Sequence, residues 1–143
     1  MNREKFNFIE QAYGHDINYK ENPMLYVYSE DCLGMYICEH YKSELMEKWK
    51  FLSAESAKIS AESIYDMFLS YLKDRDFIGS DMARKYLQAG ATKKSIPADC
   101  SKFFLKYYND ASRNEAYNLF IQNFAFRKKT HQEKLEKKKN ERW

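Results

Sequence analysis

The chain has 143 residues, with 24 Lys plus Arg against 21 Asp plus Glu, and its net charge of +3 is unevenly placed. Residues 127–143 hold eight basic and three acidic side chains, a net of +5, which leaves the body at −2 and excludes a globally basic nucleic-acid binder. A hydrophobic content of 44%, with aromatic residues at 17%, excludes a disordered chain and suits one domain with a core of its own.

The first twenty residues carry several aromatics around a breaker at Gly14. Pro23 pushes Asn22 out of the helical region, and 24–28 and 33–38 are two runs of strand formers joined by a turn, which predicts a β-hairpin over 24–38. Two strands are marginal alone, so the pair must lie on helices. Residues 41–51 read as a charged helical turn ending in Trp49 and Phe51. Ser53 is placed to cap a long helix whose stripe is Ala57, Ala61, Ile64, Phe68 and Leu72, stopping near 74–76.

Residues 77–79 read as a short apolar connection. Ser80 or Asp81 would cap a second helix that buries Met82, Ala83, Tyr86 and Leu87, turns Arg84 and Lys85 away from that face, and ends at Gly90. A third helix, 98–108, is aromatic or apolar nearly all round. The spacing from Ser112 to Glu115 predicts a capping box opening a fourth helix, with Ala116, Leu119, Phe120, Phe124 and Ala125 as its core stripe. Beyond Phe126 the apolar pattern ends while helix formers persist, with Glu133 and Lys137 at a favourable four-residue spacing. The expected architecture is α+β and mainly helical: about four helices with a small hairpin, a single domain over 1–126, and a basic, solvated helical tail over 127–143.

Three cysteines make an odd count, the opening residues mix charged with apolar side chains, and no apolar run approaches the roughly twenty residues of a bilayer span. These features predict a cytoplasmic protein with no disulfide framework and no membrane partner. Cys32, Cys38 and His40 are metal-ligand types at spacings that do not close a zinc site. His15 beside Asp16, and His40 beside Glu39, would point to opposite faces of a strand, so neither forms a ready acid-base dyad. No nucleophile elbow, phosphate-binding glycine loop or His-Glu-x-x-His pattern is present, and no metal or cofactor is expected.

Lys42, Trp49, Lys50, Arg84 and Lys85 gather cations and an aromatic where helices begin, and Lys93 and Lys94 follow in a loop. Helix starts attract anions, so this set is a candidate phosphate site with Trp49 as a stacking surface. The competing structural reading places Trp49 in the core and Arg84 in an ordinary ion pair. In the tail, Arg127, Lys128, Lys129, Lys137, Lys138 and Lys139 could contact phosphates without sequence selectivity, or only solvate a helix end.

The motifs Tyr41-Lys42-Ser43-Glu44-Leu45, Trp49-Lys50-Phe51, Ser60-Ala61-Glu62, Asp76-Phe77-Ile78-Gly79 and Asp81-Met82-Ala83-Arg84-Lys85, in that order, resemble the uncharacterised family catalogued as domain of unknown function 4385, met in bacteria and their phages. The resemblance covers about residues 13–92 and implies no activity. Residues 30–34 and 93–98 depart from that family's glycine turn and arginine-rich run, which puts any site built on them in doubt. Motifs so dense in charge mark either a site or a buried polar network. The leading expectation is a non-enzymatic module for a phosphate-bearing partner: RNA, DNA or a nucleotide. The alternatives are a protein-interaction factor docking through the aromatic helix at 98–108, and an enzyme pairing a His with Glu44, Asp76 or Asp81.

Overall fold

The computed structural model describes residues 17–141. After a 3-10 turn at Pro23–Leu25 come five helices: α1 (Tyr41–Met46), α2 (Ala54–Lys73), α3 (Phe77–Thr92), α4 (Ala98–Arg113) and α5 (Glu115–Glu141). α2, α3 and α4 each pack on the other two, α1 packs on α3, and α5 rests on α3, α4 and the 3-10 turn. No helix among the described residues is long and apolar enough to cross a membrane.

The described residues contain no strand, so the architecture is all-helical and the α+β expectation with its hairpin at 24–38 is overturned. The β-formers of this segment have no ladder to join. Local bonds such as Met35 N–H to the Cys32 carbonyl and Cys38 N–H to the Gly34 carbonyl fold it into turns. The carbonyls of Tyr26, Ser29, Glu30, Asp31, Leu33 and Met35 accept from side chains of the helices, which satisfies these groups as well as a partner strand would.

α2 begins as its sequence predicts. Ser53 accepts from the Ser56 N–H at 3.1 Å while Ser56 Oγ accepts from the Ser53 N–H at 2.9 Å, closing a capping box. It ends in a Schellman motif, with Asp76 N–H on the Tyr71 carbonyl and Arg75 N–H on the Leu72 carbonyl. The left-handed residue of that motif, φ 58°, is Arg75 rather than the usual glycine.

The cap of α3 is Asp76, ahead of the expected Ser80 or Asp81, because Asp76 accepts from the Gly79 N–H at 3.0 Å and draws 77–79 into the first turn. It also continues past Gly90. That glycine is a packing position: a Cβ there would lie 2.3 Å from Phe104 Cγ, so its absence lets α3 and α4 approach. α5 likewise opens at Asn114, whose Oδ1 accepts from the Tyr117 N–H at 3.0 Å, while Ser112 still belongs to α4.

Every residue of α3 from Ile78 to Gly90 except Gln88 is buried. An amphipathic reading therefore misplaces Arg84 and Lys85. They do not point away from the core, since α1, α2, α4, α5 and the irregular N-terminal segment surround α3 on all sides.

Candidate functional site

At the centre of α3 lies a network of charged groups. Asp81 is fully buried and accepts hydrogen bonds from the Tyr26 and Tyr117 hydroxyls and from Arg84 Nη2, the last at 2.6 Å. Arg84 Nε donates to the Tyr117 oxygen, Nη1 donates to the carbonyls of Glu30 and Asp31 and to Gln88 Oε1, and Nη2 also donates to the Ser29 carbonyl. A guanidinium has five N–H groups, and here every nitrogen has its acceptors inside the protein. Lys85 Nζ donates to Ser29 Oγ and the Leu33 carbonyl and sits 5.6 Å from the centre of the Tyr26 ring. Tyr86 donates to the Met35 carbonyl.

Burial opposes the charge on both cations, with opposite outcomes. For Arg84 the lost hydration is the largest single influence, but Asp81, Tyr117 and Tyr26 together more than offset it, and the pKa stands above its ordinary value. For Lys85, desolvation prevails over the attraction of Asp81, Arg84 adds repulsion, and the pKa is pushed down to about 8. The Asp81-x-x-Arg84-Lys85-Tyr86 run therefore holds the backbone of residues 29–35 against α3.

Tyrosine hydroxyls also engage the other carboxylates of interest. Tyr41 donates to Asp76 at 2.7 Å, and Tyr71 donates to Glu44. His40 stacks on Tyr41 and His131 is exposed, and neither has a carboxylate partner among the described residues. His15 and Asp16 lie outside the described residues. Cys32 donates to the Lys85 carbonyl, and burial pushes the Cys38 thiol up to about 12. No group of His, Cys, Asp and Glu suited to a metal occurs among the described residues.

The body cations expected to form one phosphate site are dispersed. Lys42 lies 3.9 Å from Glu39 on α1, Lys50 is exposed in the α1–α2 connection, and Arg84 and Lys85 are committed internally. Lys93 and Trp49 do come together, at 5.8 Å, with Lys93 also donating to the Tyr36 hydroxyl; Lys94 is exposed beside them. Trp49 is half-buried among Tyr36, Phe51 and Tyr86, so it is a packing residue with little free face. In the tail, Lys128 donates to the Tyr26 carbonyl at 2.5 Å and leans on the Phe124 ring, and burial lowers its pKa. Arg127, Lys129, Lys137, Lys138 and Lys139 are exposed on α5.

α5 carries a pattern that composition alone does not reveal. Arg127, His131, Lys134 and Lys138 fall at i, i+4, i+7 and i+11 and share one face; Glu136 lies opposite, Glu133 on the flank, and Glu141, at i+14, ends the stripe on the same face. All are exposed, and Arg127, Lys134 and Lys138 form no ion pair among the described residues.

These features define a helical protein in which a buried polar helix fastens an irregular segment and a net-basic helix extends from the body. The chain belongs to the family described as Domain of unknown function (DUF4385), which matches residues 10–142 and so takes in α4 and α5 beyond the motifs of α1 to α3. No curated protein and no solved structure matches it.

Proposed function

We propose that the protein is a non-enzymatic module that binds the phosphate backbone of a nucleic acid through the outer half of α5. The supporting observation is the exposed stripe of Arg127, His131, Lys134 and Lys138, which spans roughly 16 Å along the helix at 1.5 Å per residue. Its three cations, Arg127, Lys134 and Lys138, lie in line, which suits a polymer of phosphates better than a single nucleotide, which needs convergent donors. The convergent donors of this protein, on Arg84 and Lys85, already serve carbonyls of residues 29–33.

The enzyme alternative draws little support, because Glu44, Asp76 and Asp81 each accept from tyrosine and no described histidine faces them. A docking role for the helix at 98–108 is weakened by the burial of Phe104 and the partial burial of Phe103, Tyr107 and Tyr108, which leaves Leu105 as its exposed large apolar residue.

The test is binding of labelled random-sequence RNA and DNA at two salt concentrations. With about three phosphates neutralised, by Arg127, Lys134 and Lys138, affinity should fall roughly 40-fold between about 50 and 200 mM salt. The double charge reversal Lys134→Glu with Lys138→Glu should weaken binding at least about tenfold with the circular dichroism spectrum unchanged. Salt-independent binding, or binding indifferent to the reversal, overturns the proposal.

A further inference from the structure

The basic stripe begins at the rim of a groove. Between the α2–α3 corner and the middle of α5 is an open cavity of about 440 Å³ lined by Arg75, Phe77, Phe120, Asn123, Phe124 and Arg127. Its floor is aromatic: the Phe77 and Phe124 rings are 5.0 Å apart at 31°, and Phe120 is half-buried beside them. Its rim is cationic. Arg75 and Arg127 are exposed, pair with no carboxylate among the described residues, and no acidic side chain lines this cavity. Asp74 and Asp76 line the adjoining one across Arg75, with Asp76 committed to Tyr41 and the Gly79 N–H. Asn123 is exposed, and its amide has no partner among the described residues.

Arg75 stands out on separate grounds. It occupies the left-handed position that ends α2, where glycine carries no steric penalty, at φ 58°. Stability alone does not favour an arginine there. Backbone strain held at the mouth of a cavity is a recurrent mark of a functional position.

We infer that this groove takes an unpaired base of a single nucleic-acid strand, which stacks on Phe120 over a floor of Phe77 and Phe124 while Arg75 and Arg127 hold the flanking phosphates and the strand continues along the α5 stripe. The inference rests on the nucleic-acid reading above and adds a preference for single strands. Aromatic faces stack any base, an asparagine amide can pair with a base edge, and a duplex presents neither an unstacked base nor a free base face.

Three probes of equal length separate this inference from the reading beneath it: an oligo-dT single strand, an abasic strand with the same phosphates, and a duplex, all at one ionic strength. The expected result is that oligo-dT binds at least tenfold more tightly than the abasic strand or the duplex. Phe120→Ala should weaken oligo-dT binding by about 5- to 150-fold, the range of one lost base stack, with abasic-strand binding unchanged within about twofold. Arg75→Gly, which suits the local backbone, should weaken all strands that enter the groove and leave the melting temperature equal or higher. Equal, salt-sensitive binding of all three probes would keep the backbone reading and overturn the groove. Loss of self-association in Phe120→Ala without any effect on oligo-dT would assign the groove to a second copy of the chain and likewise overturn it.

Discussion

Lys85 brings an ammonium into the interior next to Arg84, with Asp81 as the fully buried counter-charge and Asp31 adding a weaker attraction. Its pKa of about 8, below the ordinary 10.5, means that between these values the unfolded chain keeps a proton that the folded chain has released. Stability should therefore rise as pH climbs past about 8. Cys38, pushed up from 9.0 to about 12, works the other way above pH 9, because the folded state then keeps a proton that the unfolded thiol loses. Cys32 and Cys100, whose thiols burial also raises, oppose the rise in the same sense, so the readout is a difference: in urea denaturation between pH 7.5 and 9 the change in stability of the wild type should exceed that of Lys85→Met by about 1 kcal/mol. An equal slope in both proteins would refute the assignment. Asp81→Asn removes the charge that Arg84 and Lys85 share and should cost about 3–5 kcal/mol in the same measurement. The Asp81-Met82-Ala83-Arg84-Lys85 motif was visible in the sequence, but its acceptors were not. They are carbonyls of Ser29, Glu30, Asp31 and Leu33, more than fifty residues away, and every residue type supplies that group.

Among the elements, α3 shows how a helix surrounded on every side escapes a one-face reading. Its apolar stripe was legible; its second face, packed against the irregular segment, was polar and looked solvated. The boundaries shifted for a local reason: aspartate and asparagine at 76 and 114 compete with nearby serines as caps, and only the carboxylate and amide geometry selects between them. Gly90 offers a measurement of helix packing. In an exposed helix Gly→Ala stabilises by about 1 kcal/mol. Here the new methyl would meet a fully buried Phe104 ring at 2.3 Å, so Gly90→Ala should instead destabilise by about 1–3 kcal/mol in thermal or urea unfolding. A stabilised Gly90→Ala would show that α3 and α4 are not held in this contact.

For the whole molecule, helix-richness followed from four glycines and two prolines, and the charged end of the chain was plain from simple counting. What counting could not supply was the arrangement of that charge into a face of α5, or the meeting of Arg75 with Arg127 across fifty-two positions at one groove. Nothing near Arg75 announces a site except the absence of glycine where a helix stops. The Lys128 bond to the Tyr26 carbonyl spans 102 residues and joins the final helix to the segment that precedes the first. Helical proteins usually fold quickly because their contacts are local. Here residues 26–35 have no ladder or helix to hold them, and their anchors arrive only with α3 and then α5. On a ribosome this segment emerges before the helix that anchors it, so a chain halted before residue 84 should remain open to proteases at 26–35 even when α2 is complete.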